Sequence, residues 1–195
     1  MNALVILAHP CRDSFNHAVA AAVERGLTSA GHVVERIDLY AEGFVAAMSL
    51  DEHRAYHSDE PVVDGHVRDH VDRLLAADTL VFVYPTWWSG LPAVLHGWLQ
   101  RVMVQGVAFD FDEQGKVTPG LTNVRRIVGV STYGSPRWYV KGVNDNGRRV
   151  LTRALRMSCG WRTRCGWLAL YSMDTTTDDD RRRFLTRVEQ QMARA

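Results

Sequence analysis

The chain has 195 residues, 46% hydrophobic and 23% charged, with 23 basic residues against 22 acidic ones and a net charge of +1. That length builds one domain with a substantial core, and the near-neutral charge removes the electrostatic basis for a nucleic-acid or membrane-surface partner. Cys11, Cys159 and Cys165 form no CxxC pattern, no leader pattern opens the chain, and no apolar run nears the ~20 residues that span a bilayer, so a soluble cytoplasmic protein is expected.

Residues 3–8 (ALVILA) are an unbroken apolar run, as expected of a parallel strand covered on both faces. A polar turn from His9 to Ser14 leads into a helix with Ala18, Val19, Ala22, Val23 and Leu27 as its apolar positions, stopped by Gly31. Residues 32–39 alternate and read as an edge strand. Residues 41–64 read as a long irregular excursion, followed by a helix over 67–77 with Val67, Val71, Leu74 and Leu75 on one face.

Residues 80–84 (LVFVY) read as the third strand, and Pro92 opens a helix in which Leu91, Val94, Leu95, Trp98, Leu99 and Val102 keep amphipathic spacing. That helix reads as scaffold and dimer surface. Residues 106–124 read as a loop, with turn signals at Gln114-Gly115 and Pro119-Gly120. A fourth strand over 126–131, a helix over about 147–158 and a fifth strand over 167–171 follow. Thr177 caps a last helix reaching about residue 193, with Asp178, Asp179 and Asp180 in its first turn and a solvated arginine face after them. Strands alternating with helices imply a parallel sheet with right-handed crossovers. Five strands fit one flavodoxin-like α/β domain over residues 1–195, a three-layer sandwich whose five-stranded parallel sheet has order 2-1-3-4-5.

Such a sheet holds its ligand beyond the carboxyl ends of the strands. The first strand-end loop has neither GxGxxG nor GxxxxGK[ST], which removes the dinucleotide fingerprint and the nucleotide triphosphatases. It offers Ser14 and Asn16 beside a helix N-terminus, a seat for a phosphate; simple helix capping is the alternative reading. Cys11 stands where a Cys-x5-Arg phosphatase places its nucleophile, but the required arginine is His17, so the dianion lacks its bidentate partner and that chemistry fails. The loops at 85–90 (PTWWSG) and 131–139 (STYGSPRWY) add an aromatic wall, small residues and a tyrosine hydroxyl. Neighbouring tryptophans in an extended segment cannot both face the core. The set suits a planar isoalloxazine, with Trp88 against the ring and Trp87 beside it or in the packing. His53/His57 and His66/His70 have helical spacing without an HExxH or cysteine partner, so they read as solvated faces and no metal is expected. Cys159 and Cys165 read as packing near the last strand.

Three segments, LVILAHPCRDSFNHAVA (4–20), YPTWWSGLPAVLHGWLQRVMVQGVAFDF (84–111) and VSTYGSPRWY (130–139), carry a resemblance over most of the chain. The chain resembles the flavodoxin-like NAD(P)H:quinone oxidoreductases, including bacterial drug-modulator reductases and the regulatory flavoproteins of potassium efflux. The resemblance implies a flavin (FMN or FAD), NAD(P)H as electron donor, and ping-pong hydride transfer to quinones or similar electron-poor acceptors. Carried over, it makes His9, Ser14, Phe15 and Asn16 the contacts of the flavin phosphates. Pro85, Thr86, Trp87 and Trp88 would line the ring, and Thr132, Tyr133 and Gly134 would bind its pyrimidine end.

Tyr139 falls where the family has a tyrosine near the flavin N1–O2 edge, a catalytic position that stabilises developing negative charge. The family's homodimers share their sites, which makes Phe109 and Phe111 candidates for the partner subunit's substrate pocket. Two departures stand out. Tyr133 replaces a glycine common in the family, which implies a tighter or partly filled site. Val143, Asn144 and Asp145 stand where some members carry a histidine, which leaves a Tyr–His relay without its second member. The alternatives are a regulatory flavoprotein subunit docking on a membrane potassium-efflux system, and a flavodoxin-like scaffold without cofactor.

Overall fold

The opening apolar run becomes β1 (Asn2–Leu7) because both faces of the strand find cover, and only its first residue is exposed. In this computed structural model, residues 1–58 and 60–194 are described; Asp59 and Ala195 lie outside them. The chain continues through α1 (Phe15–Ser29), β2 (Val33–Asp38), α2 (Leu50–Ala55), α3 (Gly65–Ala76), β3 (Thr79–Pro85) and α4 (Ala93–Val102). A small antiparallel hairpin, β4 (Phe109–Phe111) and β5 (Val117–Pro119), precedes β6 (Arg126–Thr132). After α5 (Arg137–Gly142) and α6 (Asn146–Arg149), a π-helical segment (Val150–Leu155) runs into α7 (Arg156–Cys159), then β7 (Arg164–Leu170) and α8 (Asp178–Met192).

The main sheet has the order β2-β1-β3-β6-β7 with every neighbour parallel, the expected 2-1-3-4-5 among its five strands. Alternate residues of each strand feed two cores. Leu4, Ile6, Leu80, Phe82 and Tyr84 pack with Val71, Leu74, Leu95 and Trp98 of α3 and α4. Val5, Leu7, Val81 and Val83 pack with Val19, Val23, Phe184 and Val188 of α1 and α8. The continuous apolar strands are therefore the signature of helices on both sides. β2, mostly exposed, is the edge strand expected. Thr177 caps α8 in a box with Asp180, whose carboxyl is held down at about 2 by the Thr177 hydroxyl and backbone N–H and then by Arg183.

Trp167 lies across Gly129 in β6: a Cβ at Gly129 would come 2.0 Å from the indole Cζ3. Glycine in mid-strand is thus a slot for a ring, not a weak point of the strand. Trp98 is fully buried and meets Phe82 of β3 edge to face, so α4 is scaffold through this residue, as expected.

The excursion over 41–64 is better ordered than its sequence suggests, because Arg101 reaches into it. The guanidinium, 5% exposed, meets Glu52 Oε1 at 2.7 Å, Asp64 Oδ2 at 2.8 Å and the Val45 carbonyl at 2.6 Å. Ser49 and Glu52 close a capping box at the start of α2. The loop expected over 106–124 contains the β4–β5 hairpin. β7 begins earlier than residue 167, because its ladder with β6 starts at Arg126 opposite Arg164.

His70 corrects the expectation of a solvated histidine face. It sits at the buried positions of α3 with Val67, Val71 and Leu74. Its Nδ1 accepts from Trp98 Nε1 at 3.2 Å, and its Nε2 meets Glu42 Oε2 at 2.8 Å. An imidazole that accepts at Nδ1 carries its proton on Nε2 and donates it to the carboxylate. Glu42, His66 and His70 bring ligand atoms within 4.8 Å of one another. A metal on His70 Nε2 would move the ring proton to Nδ1, against the Trp98 N–H. The cluster is therefore a proton-ordered core contact.

Two outcomes follow from these polar hubs. Arg101→Met leaves Glu52 and Asp64 without their cation and is expected to cost about 3–5 kcal/mol in urea unfolding; a loss under 1 kcal/mol would mean the hub is not structural. Burial holds the His70 imidazole below its ordinary value of 6.5, against the opposing pull of Glu42. The unfolded chain takes up a proton as pH falls through that value while the native ring resists, so stability drops below it until the native pKa is passed. Unfolding midpoints measured between pH 7.5 and 5 should show that slope, and His70→Gln should flatten it.

Candidate functional site

β3 and β6 run side by side to their carboxyl ends, where Pro85 stands opposite Thr132. The ladder takes one more step: the Thr86 N–H donates to the Thr132 carbonyl at 2.8 Å, and the Thr86 and Ser131 hydroxyls meet at 2.9 Å. The β1 loop is tied in by Asn16, whose Nδ2 donates to Thr132 Oγ1 at 3.1 Å. Three expected site residues, Asn16 at the start of α1, Thr86 after β3 and Thr132 at the end of β6, are thereby joined. Asn16 is buried, and its Oδ1 has no partner among the described residues.

Beyond Thr86 the backbone reverses within four residues. Gly90 N–H donates to the Trp87 carbonyl at 3.0 Å, and Trp88 and Ser89 take left-handed φ values of 49° and 59°. Two consecutive non-glycine residues in this region cost on the order of 1–2 kcal/mol each, and such strain concentrates at ligand clamps. The turn lifts both indoles off the core. Trp88 is fully exposed, while Trp87 is half-exposed with its ring centroid 6.4 Å from that of His9.

Tyr133 leaves β6 by donating its N–H to the Leu170 carbonyl at 2.8 Å. Its ring is buried, stacked on Tyr171 at 4.9 Å, and its hydroxyl donates to Asp145 Oδ1 at 3.0 Å. Burial, then the Asp145 charge, hold the phenol well above its ordinary value. Burial also raises the Asp145 carboxyl, against the Tyr133 hydrogen bond and Arg148 and Arg149. Asn144 and Asp145 have φ of 77° and 45°, left-handed positions that Asn and Asp tolerate best. That Asn-Asp-Asn turn was the available signal for Asp145, which sequence reading noted only as a missing histidine.

These loops enclose a cavity of about 310 Å³ lined by Thr86, Trp88, Ser89, Tyr133, Gly134 and Tyr139, among others. The volume is within the ~300–1,000 Å³ of small-molecule sites. Tyr133 turns sideways to form a wall of it. Tyr139 stands on α5, which sequence reading took as loop; Pro136, at φ −71°, is the N-cap residue of that helix. Sequence reasoning missed Val140 in the lining, placed Ser89 and Ser135 only within the site loops, and noted Val143 only as a missing histidine.

The other expected residues do not line this cavity. Ser14 is the N-cap of α1, accepting from the His17 N–H, so the capping alternative describes its contacts. The first turn of α1 has no acid to neutralise its positive end, and its leading N–H groups, Phe15 and Asn16, have no acceptor within the helix. The Phe15 ring packs on Phe184, centroids 6.1 Å apart. His9 Nδ1 accepts from the Cys11 N–H at 3.1 Å, and burial lowers its proton affinity. Phe109 and Phe111 meet edge to face on the hairpin, Phe111 half-exposed, away from the cavity lining. A larger hollow, about 860 Å³, opens beside the strand starts at Thr79, Arg126 and Arg164, at the end of the sheet that carries none of the expected site residues.

Residues 1–190 match a family model described as a flavodoxin-like fold. Rat NAD(P)H dehydrogenase (quinone) 1 is 31% identical over 165 residues, covering 76% of this chain and 60% of the rat protein. The chain thus spans under two thirds of that relative's length. A protein of Haemophilus influenzae named as an uncharacterized NAD(P)H oxidoreductase is 31% identical over 163 residues, with 82% of this chain and 79% of the relative covered. Among solved structures, an NAD(P)H:quinone oxidoreductase from Methanothermobacter marburgensis superposes with a TM-score of 0.81 at 27% identity, covering 99% of this chain and 96% of that one.

The strained turn gives a stability prediction. Ser89→Gly removes the Cβ from a left-handed position and should raise the urea-unfolding free energy by up to about 1 kcal/mol; a clear loss would mean the turn is not strained.

Proposed function

The chain belongs to the flavodoxin-like fold family, with the NAD(P)H:quinone oxidoreductases, and on that premise we propose that it is a flavin-dependent NAD(P)H oxidoreductase acting on quinones or similar electron-poor acceptors. The observation that carries the reading is the cavity at the junction of strand-end loops, walled by Trp88 and lined by Tyr139. The donor set around it fits a flavin. The first turn of α1 is free of acids, as a phosphate requires, and the buried, unpartnered Asn16 Oδ1 supplies an acceptor at the loop junction.

A flavin, FMN or FAD, supplies the two-electron chemistry that side chains lack, with NAD(P)H as its reductant. The chain's own task is to bind and orient. The Ser14 hydroxyl and the Phe15 and Asn16 N–H groups hold the phosphate, with His9 beside them. Trp88 would pack on the flat ring, while Thr86, Tyr133 and Gly134 would line its polar edge. Pro85, Trp87 and Thr132 support that frame from behind. Tyr139 presents its hydroxyl to the ring edge and stabilises negative charge there. Donor and acceptor use the same open side of the cavity in turn. A homodimer accounts for the fully exposed Trp88 and the exposed Trp138; in it, Phe109 and Phe111 complete the partner's pocket.

The test is optical. Protein reconstituted with FMN or FAD should be yellow after desalting, and NADPH or NADH should bleach it without oxygen. Trp88→Ala should weaken flavin binding about tenfold, in line with the ~0.5–1.5 kcal/mol of an aromatic stacking contact. Colourless protein that neither flavin reconstitutes would overturn the proposal.

A further inference from the structure

A second cleft, about 350 Å³, opens between α5 and the helical run from α6 into the π segment. It adjoins the candidate ring cavity, with Val140 and Asp145 lining both. Its walls carry Arg137, Lys141, Arg148, Arg149 and Arg153. Among the described residues, none of these five cations lies within 4.0 Å of a carboxylate oxygen in an ion pair, a lack they share with the arginines at the strand starts; what sets them apart is their place beside the candidate ring cavity. The one acid in the lining, Asp145, already accepts the Tyr133 hydroxyl. Arg148 also lies over the Trp167 ring, 5.7 Å from its centroid.

Five like charges around one concavity, in a chain whose net charge is only +1, focus a positive potential beside the proposed redox cavity. Guanidinium forks match the oxygens of a phosphate dianion better than any neutral group. A dinucleotide whose nicotinamide end lies in the first hollow has its remaining length over the second. NADPH differs from NADH by one phosphate. We infer that this cleft receives the 2′-phosphate of the electron donor, so that the chain selects NADPH over NADH. The inference rests on the oxidoreductase reading above.

Two measurements separate the inference from that reading. With the flavin-loaded protein and a soluble benzoquinone, kcat/KM for NADPH should exceed that for NADH at least tenfold, and Arg149→Ala with Arg153→Ala should reduce that ratio at least tenfold. Independently of activity, 2′,5′-ADP should bind at least tenfold more tightly than 5′-AMP by calorimetry, and the double variant should erase the difference. Equal use of both donors together with equal binding of the two nucleotides overturns the inference. So does a double variant that loses affinity for FAD and not FMN while its donor ratio stays fixed, since the cleft would then serve the flavin's second phosphate. An inactive, colourless protein that still prefers 2′,5′-ADP would sink the oxidoreductase reading and leave the cleft's phosphate specificity standing.

Discussion

The pairing of β3 with β6 governs the working end of this molecule. Their register sets Pro85 opposite Thr132, and the ladder's last bond, Thr86 N–H to Thr132 O, fixes where each strand gives way to loop. From that point the Trp88–Ser89 reversal and the Tyr133 departure are both determined. A slip of one residue would turn every side chain of β3 to the other face, exchanging the two cores and breaking the Asn16–Thr132 tie. The two buried faces make such a slip very costly.

Charges divide by whether they have partners. Arg101 with Glu52 and Asp64, and His70 with Glu42 and Trp98, are satisfied hubs that pin the long excursion and α3 to α4. Fully bonded polar groups in a core specify one arrangement and have no capacity left for a ligand. The cations lining the cleft beside the candidate site lack such partners, and Asn16 Oδ1 is unpaired at the loop junction.

Strands and caps were legible because each depends on near neighbours in sequence or on a simple periodicity, and strand order because alternating strands and helices admit few topologies. The unbroken runs at residues 3–8 and 80–84 encode cover on both faces, and Thr177 followed by acids encodes a helix start. The strand-end aromatics were legible for the same reason. What stayed hidden depends on distant partners. Nothing local to His70 announces Trp98, and nothing near Glu52 announces Arg101, since those contacts span 28 and 49 residues. The sideways turn of Tyr133 needed Asp145 and Tyr171, and α5 is too short to leave a periodic trace.

The central claim is that Trp88 forms the wall against which a flat flavin ring lies. An indole in stacking contact quenches flavin fluorescence by rapid electron transfer, and one displaced from the ring does not. Titrating the apoprotein with FMN or FAD should therefore quench flavin emission on binding, and Trp88→Leu should bind more weakly but leave the bound flavin bright. Quenching of equal depth in both proteins, at saturation, would contradict the account.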